Sequence, residues 1–290
     1  MMDNMEKNKV VASTLYLVAT PIGNLADISE RAKKVLSEVD FVAAEDTRNS
    51  AKLLSAYGIK KELVSYYEHN KKSSGERILA RLLAGESCAL ITDAGMPAVS
   101  DPGEDIVRLC ADAGVATTVI PGACAAVSAL SLSALKTARF AFEGFLPAKE
   151  SERKKRLSAL VKEERTLIFY EAPHKLRGTL ADMTEIFGGE RKISLCREIT
   201  KLNEEVIRTT LSGAVRTYEE KEPKGEYVLI LEGTEEAGVL SSDADAFLLS
   251  LTPREHIEHY ISLGMPKMDA IKAAAKDRGV PKNEMYKAVL

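Results

Sequence analysis

Leu15-Tyr-Leu-Val-Ala-Thr-Pro-Ile-Gly-Asn24 decides the fold: a hydrophobic strand runs straight into a Pro-x-Gly-Asn turn. Two more junctions of this kind follow. Ala89-Leu-Ile-Thr-Asp93 leads into Ala94-Gly95-Met96-Pro97 and on to Ser100-Asp101-Pro102-Gly103, and Ala116-Thr-Thr-Val-Ile120 leads into Pro121-Gly122-Ala123-Cys124-Ala125. In an open α/β sheet, the loops leaving the carboxyl ends of the strands converge on one crevice, and small molecules bind there. Three such turns, whose backbone N–H and C=O groups can approach a ligand closely, mark that crevice.

Outward from these turns, hydrophobic periodicity places strands at 14–20, 39–44, 62–66, 87–92 and 116–120. They alternate with helices at 28–38, 47–56, 73–84, 104–113 and 123–134. Such alternation predicts a mostly parallel sheet. Gly58, Gly85 and Gly114 each follow a helical run, where a left-handed cap calls for glycine. Residues 14–145 therefore read as a first α/β lobe, behind a flexible N-terminus at 1–13. Phe140-Ala-Phe-Glu-Gly-Phe-Leu-Pro147 leads into a basic helix, with Pro-Ala-Lys as the linker. Residues 146–233 read as a second α/β lobe that completes the cleft. Its strands are expected at 165–171 and near 191–197, 204–211 and 226–232, with helices at 173–187 and between the last two strands. Glu226-Tyr-Val-Leu-Ile-Leu-Glu232 has the nearly continuous apolar run of a central strand. From 234 to 290 a polar stretch precedes three short helices, broken near Gly264-Met265-Pro266 and Gly279-Val280-Pro281, which form a small helical domain.

The 290 residues, 45% of them hydrophobic, suffice for a proper core. No window approaches the roughly eighteen apolar residues of a membrane span, and the N-terminus lacks the apolar stretch of a signal peptide. A cytoplasmic location without membrane contact is therefore expected. Cys88, Cys110, Cys124 and Cys196 are scattered without a C-x-x-C pair, so they are expected to be reduced and mostly in the core. His256 and His259 share a helical spacing but lack an evident third ligand, and no metal site is expected.

A net charge of −3 argues on average against a nucleic-acid partner, yet two patches depart from the average. Residues 149–156 hold five basic and two acidic side chains. Residues 250–290 hold seven basic side chains (Arg254, Lys267, Lys272, Lys276, Arg278, Lys282 and Lys287) against five acidic ones. Each patch is either a solvated helix face or a phosphate-binding surface. Neither G-x-G-x-x-G nor G-x-x-x-x-G-K-[ST] occurs, and no basic residue lies inside the three turns. A nucleoside without phosphates suits such turns.

The motifs carry a more specific message in combination. They are Thr20-Pro-Ile-Gly-Asn-Leu25, Ala44-Glu-Asp-Thr-Arg48, His69-Asn70, Asp93-Ala-Gly95 with Pro97, Ser100-Asp-Pro-Gly103, Glu143-Gly-Phe-Leu-Pro147, Ile168-Phe-Tyr-Glu171 with Pro173-His174, Arg197-Glu-Ile-Thr-Lys201 and Gly225-Glu226. In this order they resemble the tetrapyrrole-methylase superfamily, and within it the branch that methylates a ribose 2′-hydroxyl of small-subunit (16S) ribosomal RNA. The similarity spans residues 15 to about 233, and the tail looks like that branch's C-terminal helical domain. Met96 stands where the family usually has threonine, Cys124 where it commonly has serine, and Asn49 where histidine is frequent.

The resemblance implies a two-lobed α/β fold with S-adenosylmethionine folded into the cleft. It also implies methyl transfer to a cytidine in the decoding region, within the assembled small subunit, by a homodimer. An activated sulfonium donor requires no metal; aligning oxygen, methyl carbon and sulfur is worth roughly 7–11 kcal/mol, and a general base about 10²–10⁴-fold. Glu45, Asp46 and Arg48 are the candidates for the chemistry. Glu45 or Asp46 would accept the proton and Arg48 would hold a phosphate; the alternative is an N-cap and ion pair at the next helix.

The cofactor would be held by Pro21 and Gly23 of the first turn, by Asp93, Ala94, Gly95, Met96 and Val99 of the second, and by Pro121, Gly122, Cys124 and Ala125 of the third. Tyr170 and Glu171, with Gly225 and Glu226, would face them from the other lobe, while Phe169 belongs to the core. His69, Asn70, Arg153, Lys154 and Lys201 are candidate RNA contacts, with loop capping or surface ion pairs as the alternatives. Lys272 and Lys276, one helical turn apart, suit an RNA-docking face, with Ile271, Ala274 and Ala275 packed behind. His174 is either structural or a substrate contact. Methylation of a tetrapyrrole or other small molecule, or a non-catalytic ribosome-binding role, remains open on the same fold.

Overall fold

The computed structural model describes residues 9–234 and 248–287. Strands β1 (Thr14–Val18), β2 (Phe41–Ala44), β3 (Glu62–Ser65), β4 (Cys88–Ile91) and β5 (Ala116–Ile120) form one sheet in the order β3-β2-β4-β1-β5, with every pairing parallel. Helices α1 (Glu30–Glu38), α2 (Thr47–Ala56), α3 (Lys71–Leu83) and α4 (Gly103–Asp112) connect the strands. Val35, Leu36 and Leu54 pack on one face against Val42 and Ile91, and Ile78, Leu82 and Ile106 pack on the other against Leu15 and Phe41. Both faces being covered explains why β2 and β4 are buried at every position. Gly58, Gly85 and Gly114 take φ of 71°, 102° and 69°, as helix-terminating glycines should.

Of the N-terminal stretch expected to be flexible, residues 1–8 lie outside the described residues. The backbone of Val11 donates to Tyr16 Oη and that of Ser13 to the Glu86 carbonyl, which ties the chain to the sheet just before β1.

Strands β6 (Phe140–Phe145), β7 (Thr166–Glu171), β8 (Lys192–Arg197), β9 (Glu205–Thr210) and β10 (Tyr227–Leu231) form the second sheet, ordered β6-β7-β10-β8-β9. Only β6 and β7 run parallel. Phe140–Phe145, read from sequence as the end of the first lobe, is thus the first strand of the second sheet. Its alternation is broken by a bulge between Phe142 and Gly144, where φ is 63° at the glycine, and this masks a period of two.

On one face of the second sheet lie α6 (Glu150–Ala159), α7 (Pro173–Phe187) and α8 (Leu211–Glu220), burying Leu157, Leu176, Leu180 and Leu211 against Phe169 and Leu229. On the other lies α5 (Ala125–Leu132), which leaves the first sheet after β5 and packs Ala126, Ala129 and Leu130 against Ile168, Val228 and Ile230. By supplying the cover for the opposite sheet, α5 joins both lobes into one compact unit ending at Glu232.

The chain from Gly233 onward is a second unit, of which 235–247 and 288–290 lie outside the described residues. Helices α9 (Pro253–Ser262), α10 (Lys267–Asp277) and α11 (Lys282–Lys287) enclose Ile257, Ile271, Ala274 and Met285. Thr252 and Glu255 form a capping box at α9. His256 is fully buried here; Nδ1 accepts from Arg278 Nε at 3.1 Å, while Nε2 lies 3.2 Å from Asp277 Oδ2. Burial lowers the imidazole's pKa from its usual 6.5, reinforced by the Arg278 charge and opposed by Asp277. The unfolded chain thus takes up a proton that the folded unit refuses. Stability of this unit falls as pH drops below about 6.5, by at most about tenfold in the folding constant per pH unit. Amide protection of α9 and α10 in the full chain, corrected for intrinsic exchange, checks this; equal protection at neutral and acidic pH would contradict it. Among the described residues, no helix is long and apolar enough to cross a membrane.

Candidate active site

Thr20, at the first turn, exchanges both backbone hydrogen bonds with Gly95, at the second, at 2.9 and 3.1 Å. Gly95 takes φ of 83°, open to glycine without strain. Behind the third turn, a Cβ on Gly122 would lie 2.9 Å from the Ala19 methyl, so this chain crossing requires glycine. The turns therefore do meet at the carboxyl ends of the strands. Between them and the second sheet lies a cavity of about 490 Å³.

The first-sheet wall of this cavity contains Glu45, Asp93, Ala94, Gly95, Met96 and Val99. Cys124 and Ala125, at the start of α5, form its inner end. Opposite stand Tyr170 and Phe145, whose rings meet edge to face at 5.4 Å. Burial pushes the Tyr170 phenol up to about 12, leaving it a neutral hydrogen-bonding and stacking group. Glu171 also borders the cavity, but its carboxylate accepts from Thr179 Oγ1 at 2.5 Å and from the Ala172 backbone at 2.8 Å, tying the end of β7 to the N-cap and second turn of α7.

Two loops on opposite walls hold non-glycine residues at positive φ: Ala98 and Ser100 on one, Glu198 and Thr200 on the other. Such conformations persist only where surrounding bonds impose them. The Asp101 carboxylate accepts from the backbones of Ala98, Val99 and Gly103 at 2.8–3.0 Å. Across the cavity, Glu198 Oε1 accepts from the Glu226 backbone and from Lys201 Nζ, each at 2.9 Å. Burial opposes the Glu198 charge, yet these two donors hold its carboxyl below the usual range.

The acidic groups of the β2 end divide sharply. Asp46 caps α2 by accepting from the Arg48 backbone at 2.8 Å, and its other oxygen meets Arg48 Nη2 at 2.9 Å. That guanidinium lowers the Asp46 carboxyl to about 2. Among the described residues, Glu45 has no such partner. Partial burial raises its pKa above the usual carboxylate range, reinforced by the charges of Asp93, Asp101 and Asp46. A carboxylate whose pKa is raised, facing a cavity, is a group suited to proton transfer.

The family described as Tetrapyrrole (Corrin/Porphyrin) Methylases matches residues 14–215. The chain belongs to this family. The Ribosomal RNA small subunit methyltransferase I of Halalkalibacterium halodurans is 49% identical to it over 94% of this chain and 93% of that protein. The protein of the same name from Bacillus subtilis is 48% identical over 94% and 93%. Among solved structures, a uroporphyrin-III-C-methyltransferase from Thermus thermophilus aligns with a TM-score of 0.55 at 22% identity, covering 76% of this chain and 94% of that one. A diphthine synthase aligns at 0.58 and 15% identity, covering 76% and 89%. These two share the fold.

The donor set of this member of the family fits S-adenosylmethionine: carboxylates for a cationic donor, an aromatic wall for a purine, and exposed backbone at the turns. Its residues expected to bind cofactor fall into two groups. Asp93 to Met96, Val99, Cys124, Ala125, Tyr170, Glu171 and Glu226 line the cavity. Pro21 and Gly23 line a neighbouring one, and Pro121, Gly122 and Gly225 stand behind the walls. Gly225 serves close packing, since a Cβ there would lie 2.5 Å from Glu198 Cγ.

Sequence reasoning missed Asp101 and Glu198 as wall-forming residues, although both sit inside the quoted motifs; Cys196 and Val228 are strand residues with no signal of their own. The expected RNA contacts also divide. Arg153 is bound to Asp182 at 2.6 Å with both side chains nearly buried, and Lys154 pairs with Glu150, Asp182 and Glu185. Asn70 closes its own loop, donating to the Ser65 carbonyl and accepting from the Tyr67 backbone. His69 is exposed beside the Tyr67 ring, and Lys201 borders the cavity. His174 lines the cavity at the start of α7. On α10, Lys272 and Lys276 are exposed on the side away from Ile271, Ala274 and Ala275, and Lys272 pairs with Asp269 at 3.0 Å.

Proposed function

We propose that this chain transfers a methyl group from S-adenosylmethionine to the ribose 2′-hydroxyl of a cytidine in the decoding region of small-subunit ribosomal RNA. The observation that carries the chemistry is Glu45, an accessible carboxylate with a raised pKa on the cavity wall. The substrate class is supported by the names of relatives that match over more than nine-tenths of their length. When bound, the cofactor supplies a methyl carbon activated by a sulfonium sulfur. Glu45 would take the hydroxyl proton as the ribose oxygen accepts the methyl group, with a neutral thioether as the leaving group. Asp101 and Glu198 keep the facing loops in place, and Tyr170 and Phe145 shield the reacting centre from water.

Arg48, whose guanidinium is largely exposed, takes a phosphate of the RNA. The exposed lysines of α10 give the C-terminal unit an RNA-docking face. The enzyme acts on assembled subunits in the cytoplasm and works as a homodimer; the open edge of β5, with Thr117, Thr118 and Val119 exposed, supports pairing with a second copy. Calorimetry with S-adenosylmethionine, followed by label transfer to small-subunit RNA and to a tetrapyrrole precursor in parallel, tests the reading. Binding with label on RNA alone is the expected result. Label on the tetrapyrrole alone would assign the small-molecule chemistry instead, and binding without transfer would leave a non-catalytic role.

A further inference from the structure

The segments that follow β2 and β4 bring together the carboxylates of Glu45, Asp46, Asp93 and Asp101, and all but Asp46 border the same cavity. Like charges drawn together turn apart unless other bonds hold them. Those bonds differ in kind. Asp46 is paired with Arg48, which offsets its charge, and Asp101 accepts from three backbone N–H groups. Asp93 is exposed and has no ion pair among the described residues. The side chain that holds it is Asn49, whose Nδ2 donates to Asp93 Oδ2 at 3.0 Å. Asn49 is the third residue of α2, so the helix that Asp46 caps delivers the amide to the boundary of the cavity. Asparagine donates without adding charge. A lysine or arginine at this position would also hold Asp93, but it would cancel the negative charge that Asp93 brings to the wall.

We infer that Asn49 is a positioning residue for proton transfer: its neutral amide keeps the Asp93 carboxylate, with its charge whole, on the wall that carries Glu45. The assignment rests on the methyltransferase reading above, in which Glu45 is the proton acceptor. Burial raises the Glu45 carboxyl most, and among the charges that reinforce it Asp93 comes before Asp101 and Asp46. Without the amide, repulsion within the cluster turns the Asp93 carboxylate out to solvent, where water and salt screen it. Glu45 then ionises at a lower pH. Across the cavity stand Glu171, His174, Glu198, Lys201 and Glu226. Glu171 accepts from Thr179 and Ala172, and Lys201 joins Glu198 to Glu226 at 2.9 and 2.7 Å. His174 is titratable as well, so the Glu45 carboxyl has to be read directly.

Asn49→Ala, Asp93→Asn and the double variant test this in the full-length protein. The Glu45 carboxyl is titrated by carboxyl-carbon NMR without cofactor, its signal assigned as the one that Glu45→Gln removes. Single-turnover methylation of small subunits lacking the modification is followed across pH alongside. Asn49→Ala is expected to move the Glu45 titration to lower pH and to raise the rate on the acidic limb, relative to the plateau, about 3–10-fold. Asp93→Asn moves both in the same direction, and Asn49→Ala adds nothing further once Asp93 is neutral. A merely structural role for Asn49 would lower Tm and leave the titration in place. An unmoved Glu45 titration in Asn49→Ala, or an equal shift with Asp93 already neutral, would overturn the assignment while the wild type still methylates. A wild type that labels no ribosomal RNA overturns the methyltransferase reading, and the role in proton transfer with it, whatever the titration does.

Discussion

Glu45→Gln lowers kcat by about 10²–10⁴-fold while the Kd for S-adenosylmethionine stays within about a factor of two. Glutamine keeps the size of the side chain but cannot accept a proton, so the loss isolates that role. The pH profile supplies an independent sign. The active form is the carboxylate, and burial together with Asp93, Asp101 and Asp46 holds the carboxyl above its usual range. In the wild type, kcat therefore rises with pH through a pKa above the ordinary carboxylate value and levels off beyond it. Asp46→Asn behaves differently, because Asp46 stays ionised to about pH 2 through its bond to Arg48 and serves as the α2 cap. Asparagine caps a helix about as well as aspartate, so both the α2 cap and the pH limb remain. Single-turnover rates across pH for both variants decide the matter. If Asp46→Asn abolishes the limb and Glu45→Gln preserves it, the base is Asp46.

Asp182→Ala destabilises the two-sheet unit by about 3–5 kcal/mol, which is on the order of 10 °C in Tm. The pair it breaks joins α6 to α7, with Arg153 and Asp182 only 11% and 8% exposed at the side chain. Removing the carboxylate leaves a guanidinium buried without its counter-charge, and that penalty exceeds the net contribution of the intact pair. The double variant Arg153→Met, Asp182→Leu should regain most of the loss, since it removes both charges together. Urea unfolding of the three proteins measures this. Were Arg153 an RNA contact instead, Arg153→Met would leave the midpoint unchanged and raise KM for the subunits.

Much of the architecture follows from local signals. The three turns after β1, β4 and β5, the alternation that makes the first sheet parallel, and the apolar run of β10 can all be read from spacing and turn chemistry alone. What escaped is non-local. The strand at 140–145 is hidden by the Gly144 bulge, and nothing in 125–132 announces that α5 covers the second sheet. Residues 149–156 present as a basic run, but Asp182 and Glu185, about thirty residues on, engage Arg153 and Lys154. The same limit applies at the cleft. Glu45 and Asp46 are adjacent and chemically alike in sequence; only the direction of Arg48 and the approach of Asp93 and Asp101 separate their pKa values.

The most direct test of the central claim is the chemical position of the transferred group. Small subunits lacking the modification are incubated with enzyme and S-adenosylmethionine, and the methylated nucleotide is then isolated and identified by mass spectrometry and resistance to alkaline cleavage. A single ribose 2′-O-methyl cytidine in the decoding region, absent with Glu45→Gln, is the expected result. A methyl group on a base, or on no nucleotide while a tetrapyrrole is labelled, would contradict it.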